Sequence, residues 1–118
     1  MKRMRQFSSF FSAVFLAAMP LLAHSDKEST IPADGAILER APTHIEMTFD
    51  SPMRLTMVRL TDAEGGDIEL QRSDGMAPVT QFQAVPATLL PGAYTVEWRG
   101  LSGDGHPMQG SFSFEIAN

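Results

Sequence analysis

The chain has 118 residues, with 14 acidic against 9 basic side chains, a formal charge of −5 and no cysteine. An acidic balance excludes the electrostatic footprint of a nucleic-acid or anionic-lipid binder. The lack of thiols excludes both disulfide staples and thiolate metal ligands, so any metal would have to be held by His, carboxylate, Met or backbone groups.

The first segment does not belong to the fold. Lys2, Arg3 and Arg5 form a positive start, and residues 7–22 are apolar or small and uncharged before Ala23. This is the pattern of a secretory signal peptide. The run is short for a membrane span of about 20 residues, and Pro20 interrupts it near its end. Cleavage after Ala23 would make residues 1–23 the signal and residues 24–118 the mature domain, with His24 as its N-terminus. Leu21 is a poorer fit than a small residue to the A-x-A pattern. The mature chain keeps all 14 acidic residues and loses Lys2, Arg3 and Arg5, which takes its charge to −8. Such a chain suits one domain, soluble and periplasmic or extracellular, with no stable membrane insertion once the signal is removed.

Pro32 and Asp34-Gly35 predict an extended arm and a turn, and Ala41-Pro42 another. Ile45, Met47 and Phe49 then alternate with polar residues, the period-two signature of a half-buried strand, which Ser51-Pro52 is expected to stop. Leu55 to Leu60 predicts a second strand, with Val58 and Leu60 inward. Asp62 to Gly66 predicts a turn, Ile68 to Leu70 a short third strand, Arg72 to Pro78 a loop, and Val79 to Val85 a fourth strand. In the strand after Pro91-Gly92, Tyr94, Val96 and Trp98 share one face. In the last strand Phe112, Phe114 and Ile116 do the same. No helical period survives beyond the signal, so the fold class is all-β: an immunoglobulin-like antiparallel Greek-key sandwich or barrel. The Pro91-Gly92-Ala93-Tyr94 segment would suit a tyrosine corner. Between the last two strands, residues 99–110 form a long glycine-rich loop carrying Asp104-Gly105-His106, and such loops on rigid strands commonly carry function.

In extended backbone Asp104 and His106 lie on the same side. Alone, the pair is better read as an Asx-type turn with a solvated histidine than as a metal site. An N-terminal His24 changes this, because its α-amine and ring chelate a metal together. With the imidazole of His106 they supply three nitrogens, and Asp104 adds an oxygen. Nitrogen-rich tetragonal sets favour Cu(II), while Zn(II) prefers tetrahedral sites. His44 has no evident partner and is expected to be solvated.

The combination of His24, Ser29 to Gly35, Ile45 to Phe49, Leu90 to Arg99, and Ser102-Gly103-Asp104-Gly105-His106-Pro107 through Phe114 resembles the CopC-like periplasmic copper-binding proteins. The resemblance covers essentially the whole mature chain. It implies an immunoglobulin-like sandwich that holds Cu(II) through His24, Asp104 and His106; the expected role is copper resistance or homeostasis, by sequestering copper or delivering it to an inner-membrane copper transport protein. Some members also take Cu(I) in a Met-rich loop. This chain has no Met-x-x-Met cluster, and Met53 and Met57 are its nearest spaced pair, so a Cu(II)-only protein is expected. Two other readings remain open. An N-terminal histidine chelate with a second imidazole also resembles the copper site of polysaccharide monooxygenases, although Asp104 would occupy a position such an enzyme needs open. The domain could also be a metal-free sandwich that serves as an interaction module. The expectation is a binding protein with no catalytic residues.

Overall fold

The computed structural model describes residues 28–118, so the signal segment and His24 lie outside the described residues. Eight strands follow in order: β1 (Glu28–Ile31), β2 (Ala36–Leu38), β3 (Ile45–Asp62), β4 (Asp67–Ile68), β5 (Leu70–Arg72), β6 (Val79–Pro86), β7 (Gly92–Ser102) and β8 (Pro107–Ile116). No helix occurs among the described residues. The all-β sandwich expected from the alternation is what forms.

The long strand β3 organises the two layers. Its first half lies between β1 and β6, pairing Thr30 with Met47 and Met47 with Phe82. Its second half lies between β7 and β4, pairing Val58 with Trp98 and Leu60 with Ile68. Ser51-Pro52 therefore does not stop the strand. The register with β6 lapses between Thr48 and Met53, so Pro52 falls where no ladder donor is required of it, and proline is tolerated at such irregular positions. The strand changes partners there, and one continuous backbone passes from layer to layer.

The sheet order β2-β8-β7-β3-β6-β5 is antiparallel except at one edge, where β2 runs parallel to β8. The sequence reading predicts no strand at this edge, only the arm and the Asp34-Gly35 turn before it. Gly35, at φ +84°, turns the chain into β2. Its N–H donates to the Ser113 carbonyl at 2.7 Å, while Asp34 Oδ1 accepts from the Ser113 N–H at 3.0 Å. The expected third strand is two elements, because Ile68 pairs with β3 and Leu70 with β6.

The inward faces meet in one core. Ile45, Met47, Leu55, Phe82 and Val96 are fully buried, with Trp98, Phe112 and Phe114 almost so, and no polar or charged residue is buried among those described. Side chains of this size each stabilise by about 1.5–3 kcal/mol when removed from water, which is how a chain without disulfides holds its fold. Phe49 meets Trp98 edge-on at 5.2 Å. The Tyr94 hydroxyl donates to the Leu90 carbonyl at 2.6 Å, forming the corner the sequence suggested.

Candidate metal centre

β7 and β8 pair from Gly92 opposite Ile116 to Leu101 opposite Pro107. Their connection is thus shorter than the loop expected over residues 99–110: only residues 103–106 separate the strands. The turn is closed by backbone bonds from Ser102 N–H to the His106 carbonyl at 3.0 Å and from Gly105 N–H to the Ser102 carbonyl at 2.8 Å. Gly105 adopts φ +87°, a left-handed conformation that glycine reaches without a Cβ penalty. The glycine between the two polar residues is therefore a conformational requirement of the turn.

That turn holds Asp104 against His106. Asp104 Oδ2 lies 2.9 Å from His106 Nδ1. Asp104 Oδ1 accepts from the Ser102 hydroxyl and, at 3.4 Å, from the His106 N–H. The Ser102 hydroxyl, then the His106 ring and its backbone N–H, pull the Asp104 carboxyl down to about 2. An ionised carboxylate only accepts, so Nδ1 carries the proton in this contact, and in the neutral ring Nε2 is then the nitrogen with the lone pair. Carboxylate partners fix the tautomer and ring direction of metal-binding histidines in the same way. Both side chains are largely exposed, at 67% and 73%.

The pair borders a cleft of about 630 Å³, whose walls include Phe49, Asp50, Met53, Ser102 and Met108. The sequence reading singles out Asp104 and His106, and names Met53 only as half of a Met53–Met57 pair; it does not bring Phe49, Asp50 or Met108 to the site. Met53 falls between the two strands the sequence predicts, and only the continuity of β3 through Ile45–Asp62 places it beside the turn. Among the described residues, no three His, Asp or Glu side chains gather into a ligand cluster. The centre seen here is a half-site with one imidazole nitrogen on offer, and His24 lies outside the described residues. His44 sits just before β3 with Nδ1 3.1 Å from Thr43 Oγ1, and is not among the cleft residues.

β1 approaches this region. Glu28, its first residue, is opposite Phe49 in an antiparallel pair, and Glu28 Oε2 accepts from the Trp98 indole N–H at 3.4 Å. Phe49 is itself a wall of the cleft.

Comparison with known proteins agrees with the sequence resemblance. The family model described as CopC domain matches residues 27–117. Copper resistance protein C of Pseudomonas syringae pv. tomato is 30% identical over 119 residues, spanning 93% of this chain and 94% of that protein. Copper resistance protein C of Escherichia coli is 29% identical over 111 residues, spanning 84% and 86%. The crystal structure of PcoC, a methionine-rich copper resistance protein from Escherichia coli, superposes with a TM-score of 0.62 at 25% identity, over 76% of this chain and 95% of that one. CopC from Methylosinus trichosporium OB3b superposes with a TM-score of 0.64 over 75% of this chain and 89% of that one; at 19% identity it bears on the fold alone.

Proposed function

This chain belongs to the CopC family, and on that premise we propose that it is a periplasmic copper-resistance protein whose cargo is a single Cu(II) ion. Signal cleavage after Ala23 frees the α-amine of His24. That amine and the His24 ring bind copper together with Nε2 of His106, and Asp104 completes the oxygen side of the site or orients His106 from behind it. The observation that carries this reading is the Asp104–His106 contact at 2.9 Å, which leaves Nε2 available beside the cleft. The direction of β1 supports it. The chain enters that strand opposite Phe49, and the four residues from His24 to Glu28 can span up to about 14 Å. Three nitrogens and an oxygen suit tetragonal Cu(II), the most tightly held of the divalent first-row ions. The protein sequesters the ion or passes it to an inner-membrane copper transport protein, and it catalyses nothing.

The decisive comparison is between protein beginning at His24 and protein carrying one extra residue before it, both titrated with Cu(II) and followed by EPR. The extension should abolish the amine–imidazole chelate, weaken binding severely and change the nitrogen hyperfine pattern. His106→Ala should remove one nitrogen. Equal affinities and identical spectra for the extended protein would refute the site. Oxygen-dependent turnover of the copper-loaded protein with a reductant would refute the non-enzymatic role.

A further inference from the structure

Trp98 is almost fully buried, and its indole carries one donor and no acceptor. A buried donor without a partner is costly. Among the described residues the acceptor is Glu28 Oε2, at 3.4 Å. The two residues belong to different layers. Trp98 lies on β7, between Val58 and Gly110, whereas Glu28 begins β1, opposite Phe49 in the first half of β3. Directly opposed residues of an antiparallel pair share a face. Phe49 is buried, so Glu28 is turned inward with it, and Phe49 meets the Trp98 ring edge-on at 5.2 Å. An acidic residue at an inward position breaks the alternation of apolar and polar side chains, and such local violations are expected where function rather than the core selects the residue. The contact also stands at a telling place. Backward from Glu28, β1 runs in the direction that β3 takes from Phe49 to Asp50 and Ser51, because the two strands are antiparallel. Those three β3 residues are walls of the cleft that His106 borders.

We propose that Glu28 is a positioning residue for copper: by accepting the Trp98 N–H it fixes the start of β1 and so holds His24, four residues earlier, within reach of His106. This rests on the reading of the cleft as a Cu(II) site with His24 as a ligand, and it names the anchor of that ligand's arm. A tether fixed at its root raises the effective concentration of its free end at the site, and a loosened root lowers it. The anchor joins the two layers, so it sets the arm against β7 and β8, which carry the Asp104–His106 turn, as well as against β3.

The test compares Glu28→Gln and Glu28→Ala in protein beginning at His24. Gln keeps an oxygen that can accept from the indole, and Ala removes it. In ¹H–¹⁵N spectra of the metal-free protein, the signal of the single indole should hold its place in Glu28→Gln. In Glu28→Ala it should shift and exchange faster with water. In competition with a Cu(II) chelator, Glu28→Ala should bind Cu(II) about tenfold more weakly, the low end of the usual effect of losing an orienting partner. Glu28→Gln should bind as the unaltered protein does. Trp98→Phe removes the donor instead of the acceptor; it should weaken binding by the same factor, and the two changes together should weaken it no further. With one extra residue before His24 the chelate is gone, and Glu28→Ala should then alter Cu(II) binding no more. A merely structural role would lower the urea midpoint and leave the affinity of the folded protein unmoved. Unaltered Cu(II) affinity in folded Glu28→Ala, or an equal loss in Glu28→Gln, would overturn the proposal and leave the Cu(II) site standing. An extension that itself has no effect on Cu(II) binding would bring down the site, and this anchor with it.

Discussion

Asp104 commits both carboxylate oxygens inside its own turn, to the Ser102 hydroxyl and to the His106 ring. In the proposed site its effect on copper would therefore be exerted largely through the imidazole it aims. Asp104→Ala frees that ring to rotate, and Cu(II) affinity should fall about 10–100-fold, the usual effect of losing an orienting partner; competition with a Cu(II) chelator measures it. The far-UV circular dichroism should be unchanged, because both side chains are exposed. A second residue acts by having no side chain at all. A Cβ on Gly110 would stand 2.8 Å from the Trp98 Nε1 and 2.9 Å from two ring carbons. Gly110→Ala must push the indole off its seat and away from Glu28, costing about 1–3 kcal/mol as an overpacked core does. A lower urea midpoint together with altered Trp98 fluorescence, from the chain's single tryptophan, would register both effects. The two cases differ in how far the sequence reveals them. Asp104-Gly105-His106 is visible as spacing. The tautomer it enforces, and the contact between Gly110 and Trp98, depend on turn closure and on the pairing of Trp98 with Gly110 across β7 and β8.

Among the elements, the short strand β5 pairs with β6 at three positions, and a charge pair secures it. Arg72 donates from Nε and Nη2 to Asp74 at 3.0 and 2.7 Å, and from Nη2 to the Leu55 carbonyl on β3 at 2.8 Å. Its guanidinium lies 5.3 Å from the centre of the Phe82 ring. The side chains are only 21% and 4% exposed. The staple thus ties β5 to β3 across the layer boundary. Arg72→Ala should lower stability by about 1.5–3 kcal/mol, the range for hydrogen bonds to charged groups. The Arg72 hydrogen bonds hold the Asp74 carboxyl below its ordinary value. Its contribution is therefore complete above the unfolded-state value of about 3.9 and disappears as pH falls through the lower folded one. Urea midpoints taken from pH 6 down to pH 2 should decline less steeply in Asp74→Asn than in the unaltered protein. A sequence reading takes Arg72 to Pro78 as plain loop, because a polar stretch with Gly75 and Pro78 carries no alternation. What it conceals is a long-range contact, and no local pattern encodes the approach of Leu55 to Arg72. The run across Ser51-Pro52 is similar: proline usually ends a strand, and only the exchange of partners by β3 makes it harmless there.

At the scale of the whole molecule, the alternation of Ile45, Met47 and Phe49, of Tyr94, Val96 and Trp98, and of Phe112, Phe114 and Ile116 was enough to predict two facing apolar layers. Those residues are the buried core. Their burial is a local, period-two property, and it survives any uncertainty about pairing. A binding site has no such period. Asp104, His106 and Met108 are close in sequence, whereas Met53 becomes their neighbour only through the sheet, and the proposed N-terminal ligand depends on a proteolytic cut. This division has a thermodynamic consequence. The core stabilises the domain without metal, so copper should add to a protein already folded rather than create the fold. Ligand binding to the native state alone contributes about 2.7 kcal/mol when free Cu(II) is 100 times Kd. For a domain of this size, each kcal/mol raises Tm by roughly 4–8 °C. Scanning calorimetry should therefore show a cooperative transition in chelator, moved upward by about 10–20 °C in excess Cu(II) and restored by EDTA. With one extra residue before His24 the chelator-treated Tm should be unchanged and most of the copper-dependent rise should vanish. A protein that is unfolded in chelator would mean that the metal, not the core, holds the sandwich together.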